Sequence, residues 1–120
     1  MRRRTAAAML ATLVLAAGAC VGLAASATAA STVNIGLRSF SISKSVSSVP
    51  HGNVTFHITN HATITHNFRI RVGTAGKVLA RSVNLGPGRS TNVTVKLSAR
   101  RYTIFCGIHP TLMHTAFRAT

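Results

Sequence analysis

From Val33 onward, apolar residues return at every second position: Val33, Ile35 and Leu37; Val54, Phe56 and Ile58; Phe68, Ile70 and Val72; Val93, Val95 and Leu97; Tyr102 and Ile104. Side chains alternate between the two faces of a strand, so each run predicts a strand with one buried face. Turn residues fall between the runs, at Val49-Pro50-His51-Gly52, Gly73-Thr74-Ala75-Gly76 and Leu85-Gly86-Pro87-Gly88. Weaker strand patterns cover Ser39 to Ser43 and Lys77 to Val83, and a last strand is expected after the loop that follows Cys106. Short strands at this spacing, with no helical periodicity after the N-terminal segment, predict an all-β Greek-key sandwich or barrel of about seven to eight strands. Asn53-Val54-Thr55 and Asn92-Val93-Thr94 fit the glycosylation sequon but lie inside strand patterns, and are read as ordinary strand residues.

The N-terminus is patterned differently. Arg2, Arg3 and Arg4 precede an Ala/Leu/Val-rich run from Ala6 to Ala25, and a small-residue stretch ends at Ala27-Thr28-Ala29. This is the layout of a secretory signal cut near Ala29, which divides the chain into a leader, residues 1–29, and one domain, residues 30–120. Two rival readings stand beside cleavage: an uncleaved membrane anchor, and lipidation at Cys20, against which Ala17 stands where a lipoprotein signal carries Leu. The arginines hint at a twin-arginine signal, with a poor flanking match. Each route places the domain outside the cytoplasm, in the periplasm, at the cell surface or secreted.

The chain has 14 Lys and Arg and no Asp or Glu. Loss of the leader removes three of them and leaves eleven positive charges. Such a field favours anionic partners, including acidic proteins and anionic membrane or cell surfaces, and its self-repulsion favours a soluble monomer. Nucleic acid is excluded as the partner, because the chain is read as exported and its basic residues are spread along strands without an interleaved aromatic platform. The missing carboxylates also exclude calcium and magnesium sites, paired-carboxylate glycosidases, Ser-His-Asp triads and carboxylate-assisted zinc hydrolysis.

His, Cys and Met remain as metal ligands. The domain holds one cysteine, Cys106, where a small exported fold normally uses cysteines in pairs. Strand parity turns His66 to the side of Phe68, Ile70 and Val72, and Cys106 to the side of Tyr102 and Ile104. Either could be a plain core residue. Their convergence with His109, three residues after Cys106, and Met113, seven after it, favours ligation. A thiolate, two imidazoles and a thioether form a soft donor set suited to copper; two His and one Cys in a plane with a long axial Met make the blue-copper arrangement.

With these residues the chain resembles the cupredoxins, small blue-copper proteins of the plastocyanin and amicyanin kind. The likeness runs over residues 33–118, through the Val49-Pro50-His51-Gly52 turn and Val54-Thr55-Phe56, Thr65-His66-Asn67-Phe68, Leu85-Gly86-Pro87-Gly88 and Tyr102-Thr103-Ile104-Phe105-Cys106-Gly107-Ile108-His109-Pro110. The resemblance implies one type 1 copper ion held by His66, Cys106 and His109, with Met113 as axial ligand. It also implies that Asn67 ties the two ligand loops together behind the site. Three residues separate His109 from Met113, between the plastocyanin and amicyanin loop lengths. Arg100-Arg101 replaces a Pro-Gly-like turn, and His114 could compete for metal or stand exposed.

Ile108, Pro110 and Leu112 would surround the His109 edge as an apolar docking patch. His51, His57 and His61 fall in turns or on outward strand positions, where surface placement is the plain reading and secondary copper capture the alternative. The functional expectation is an exported electron carrier rather than an enzyme, exchanging electrons with redox partner proteins. A copper-delivery or scavenging module is the alternative, and a metal-free cationic sandwich that adheres to anionic surfaces is a third.

Overall fold

The computed structural model describes residues 30–120; the expected leader, its anchor alternative and Cys20 lie outside the described residues. Nine strands follow: β1 Ser31–Arg38, β2 Ser41–Lys44, β3 Ser48–Val49, β4 Gly52–Asn60, β5 Arg69–Val72, β6 Val78–Arg81, β7 Ser90–Leu97, β8 Arg100–Phe105 and β9 His114–Ala119. They form two sheets, ordered β2-β1-β4-β7 and β3-β9-β8-β5-β6. β1 runs parallel to β4 and β3 parallel to β9, while the remaining neighbours are antiparallel.

The all-β expectation holds, with nine strands in place of seven to eight. The addition is β3, a two-residue pairing with Arg118 and Ala119 that has too few residues to show an alternating pattern. Arg100 and Arg101 open strand β8 rather than forming the turn before it; Ser98 and Ala99 lie between β7 and β8.

Alternation delivers one apolar face of each sheet to a shared core. Val33, Ile35, Leu37, Val54, Phe56, Ile58 and Leu97 come from the four-stranded sheet, and Ile70, Tyr102, Ile104 and Phe117 from the five-stranded one. Phe56 packs between Phe68, with ring centroids 4.9 Å apart, and Phe117, at 5.4 Å. Such aromatic pairs add about 1 kcal/mol each beyond area burial. Tyr102 is buried, and its hydroxyl donates to the carbonyl of Ser98 at 2.7 Å, so the ring enters the core without an orphaned polar group. Gly73 and Gly88 take φ of 57° and 74° in the predicted turns, where a β-carbon would strain the backbone.

The outer faces differ in charge. On the four-stranded sheet, neutral pairs stand across β4 and β7: Thr55 with Thr94, His57 with Asn92 and Thr59 with Ser90. On the five-stranded sheet, Arg69 stands opposite Arg81 and Arg101 opposite Arg118. Basic residues that are scattered along the sequence are thus gathered in space, because strand pairing juxtaposes positions up to 17 residues apart in the chain.

Candidate metal centre

His66 sits at the entry to β5, paired in an isolated bridge with Leu85: its amide donates to the Leu85 carbonyl at 3.1 Å and its carbonyl accepts from the Leu85 amide at 2.8 Å. The preceding loop is pinned by Asn60, which is buried. Its side-chain nitrogen donates to the carbonyls of Ile64 and Leu85, both at 2.8 Å, and its oxygen accepts from the Ala62 amide at 2.9 Å. The His66 backbone is therefore fixed from both sides.

Cys106 follows β8 directly. The loop from Cys106 to Met113 folds into tight turns, with the amides of Leu112 and Met113 both donating to the His109 carbonyl, at 3.1 and 2.9 Å. The Cys106 amide closes the loop on the Met113 carbonyl at 3.0 Å. These bonds bring His109 back over Cys106 and leave Met113 buried at the base, before β9 begins.

The donor atoms converge. Cys106 Sγ lies 3.8 Å from His66 Nδ1 and 4.0 Å from His109 Nδ1, and the candidate donor atoms all fall within 4.8 Å of one another. A trigonal centre with first-row bonds of about 2.0 Å to nitrogen and about 2.3 Å to sulfur separates sulfur from nitrogen by about 3.7 Å, so the triangle has the span such an ion requires. The imidazole rings stand edge to face at 5.2 Å, which lets both present a nitrogen to one point. Cys106 and Met113 are fully buried, and no carboxylate exists to supply a harder donor. This is a type 1 copper arrangement.

The surroundings suit it. Burial, with a smaller contribution from the neighbouring His109 imidazole, holds the His66 pKa below its usual value, so His66 keeps a lone pair for a metal at neutral pH. His66 Nε2 faces Ser39 Oγ at 3.4 Å, and a proton there leaves Nδ1 free toward Cys106. Asn67 links the two loops: its side-chain oxygen accepts from the Gly107 amide at 2.6 Å, its nitrogen donates to Asn84 Oδ1 at 3.0 Å, and its own amide donates to Cys106 Sγ at 3.4 Å.

The structure brings His66, Cys106 and His109 together, with Asn67 bonded between their loops and Met113 buried at the end of the His109 loop. Ile108, Pro110 and Leu112 are exposed in the His109 loop. His51, His57, His61 and His114 are exposed and stand outside the donor cluster. Ser39, Asn60 and Asn84 were not anticipated, because only long-range folding brings these ordinary polar residues to the site. Phe40 was also missed. Its ring is 48% exposed and stands edge-on to His109 at 5.1 Å, extending the apolar rim.

The chain matches no curated protein. Among solved structures it is similar to the dithionite-reduced auracyanin of Roseiflexus castenholzii, with 21% identity, a TM-score of 0.61, and coverage of 76% of this chain and 98% of that one. It is also similar to auracyanin A, a "blue" copper protein of Chloroflexus aurantiacus, at 18% identity and TM-score 0.60, with 74% and 98% covered. Rusticyanin from Thiobacillus ferrooxidans matches at 19% identity and TM-score 0.59, with 74% and 76% covered. These likenesses establish the fold. Residues 5–117 match the family described as the cupredoxin-like domain, and the chain belongs to that family.

Proposed function

We propose that the protein is an exported one-electron carrier in which His66, Cys106 and His109 hold a type 1 copper ion and Met113 stands as its axial ligand. The observation that carries this reading is the convergence of the two Nδ1 atoms and the Cys106 sulfur. When bound, copper supplies a couple between its +1 and +2 states. The protein's part is to keep the donors still. His66 is fixed by its bridge to Leu85, Cys106 by its strand end and His109 by the hydrogen-bonded loop, so little must move as charge changes. Asn67 keeps the two ligand-bearing segments in register.

Electrons enter and leave by the His109 edge, where Ile108, Pro110, Leu112 and Phe40 offer an apolar contact rim. The positive field selects redox partners with acidic docking surfaces, and the domain, residues 30–120, works as a monomer outside the cytoplasm after removal of residues 1–29.

Adding Cu(II) to the purified protein should produce an intense blue thiolate-to-copper band that Cys106→Ser abolishes, with a reversible voltammetric couple. A colourless adduct would refute copper–thiolate ligation. A blue but labile copper without a reversible couple would instead assign the chain to copper delivery.

A further inference from the structure

On the outer face of the five-stranded sheet, beside the ligand loop, a cavity of about 240 Å³ is lined by Arg71, Thr74, Thr103, Phe105, Pro110 and His114. It is separate from the donor cluster but shares its loop: Pro110 follows His109 and His114 follows Met113. Phe105 points to this outer face, opposite the core-facing Ile104, yet it is buried. Arg71 accounts for part of that cover, its guanidinium lying over the Phe105 ring at 3.9 Å.

Stacking of this kind fixes the plane of the guanidinium and leaves its edge to receive a planar, bidentate acceptor. Arg71 Nε is buried and has no hydrogen-bond partner. A buried guanidinium nitrogen left so costs stability unless an acceptor arrives. The chain holds no Asp or Glu side chain that could serve. A carboxylate side chain to meet the fork can come only from another molecule.

We propose that this cavity is a carboxylate-binding site with Arg71 as its fork, and that its occupant is an aspartate or glutamate side chain of an acidic redox partner. Phe105 and Pro110 form apolar walls, which fit the short hydrocarbon stem of such a side chain better than a fully hydrated phosphate. Thr74 and His114 add polar groups at the cavity wall. Arg69, Arg101 and Arg118 belong to the same sheet face and attract acidic surfaces to it. Docking there would set the partner beside the His109 loop. The site itself rests on geometry alone; that its occupant is a redox partner rests on the electron-carrier reading.

The test is an amide chemical-shift titration of the full chain with sodium acetate and separately with hexaglutamate, in a buffer of non-carboxylate anions. Saturable shifts confined to the amides of Arg71, Thr74, Thr103 and His114 support the site. Arg71→Gln should abolish them. Arg71→Lys, which keeps the charge and the fold but not the fork, should weaken binding about tenfold. Shifts spread evenly over all basic residues, or unchanged in both variants, overturn the site. Hexaglutamate binding no tighter than acetate overturns a protein side chain as the occupant. The blue band is measured on the same samples: its absence from the wild type would defeat the electron-carrier reading while leaving the acetate result standing.

Discussion

A single buried amide, that of Asn60, holds the segment that delivers His66. Replacing it with Leu leaves the Ala62 amide and the Ile64 carbonyl without this partner, and the Leu85 carbonyl with the His66 amide alone. The loss should be about 3 kcal/mol, read from urea unfolding of the metal-free protein. His66 gives a second prediction at this scale. Its folded pKa lies below the ordinary 6.5, so the unfolded chain binds the proton more readily and the stabilising effect of the neutral imidazole is present above 6.5. It is lost as pH falls through the folded value. Urea midpoints of the metal-free protein should drop between pH 7 and pH 5, and the drop attributable to this residue should vanish in His66→Asn.

At the scale of elements, the inward placement of His66 and Cys106 was legible because parity is a local property, whereas His109 and Met113 follow from loop spacing. His66 shares the side of Phe68 and Ile70, Cys106 that of Ile104, and burial follows. What parity cannot show is how loops close on one another. Asn60, Ser39 and Asn84 act across gaps that only the folded chain bridges, and Phe105 keeps its outward parity yet is buried, in part because Arg71 lies over its ring. β3 was missed since two residues carry no period. The meeting of β5 with the ligand loop supplies a further test. The Arg69 guanidinium lies against Gly107, directly after Cys106. A fixed positive charge there favours the reduced, less positive state of the bound metal, so Arg69→Gln should lower the reduction potential by on the order of tens of millivolts in voltammetry. Gly107→Ala, which pushes the same side chain away, should move the potential in the same direction.

For the whole molecule, composition forecast a cationic surface but not its arrangement. Strand pairing that links residues distant in sequence sets three neutral polar pairs across β4 and β7 of one sheet and faces arginine with arginine across strands of the other. Like charges set directly across a strand pair oppose folding. With no carboxylate side chain to offset them, Arg69 against Arg81 and Arg101 against Arg118 make the native state a store of repulsion. Most proteins lose surface ion pairs as ionic strength rises; this one has no side-chain carboxylates with which to make them. Sodium chloride between 10 mM and 300 mM, which shortens the Debye length from about 30 Å to below 8 Å, should therefore raise its melting temperature rather than lower it. The molecule would be at its weakest in dilute, nearly ion-free water.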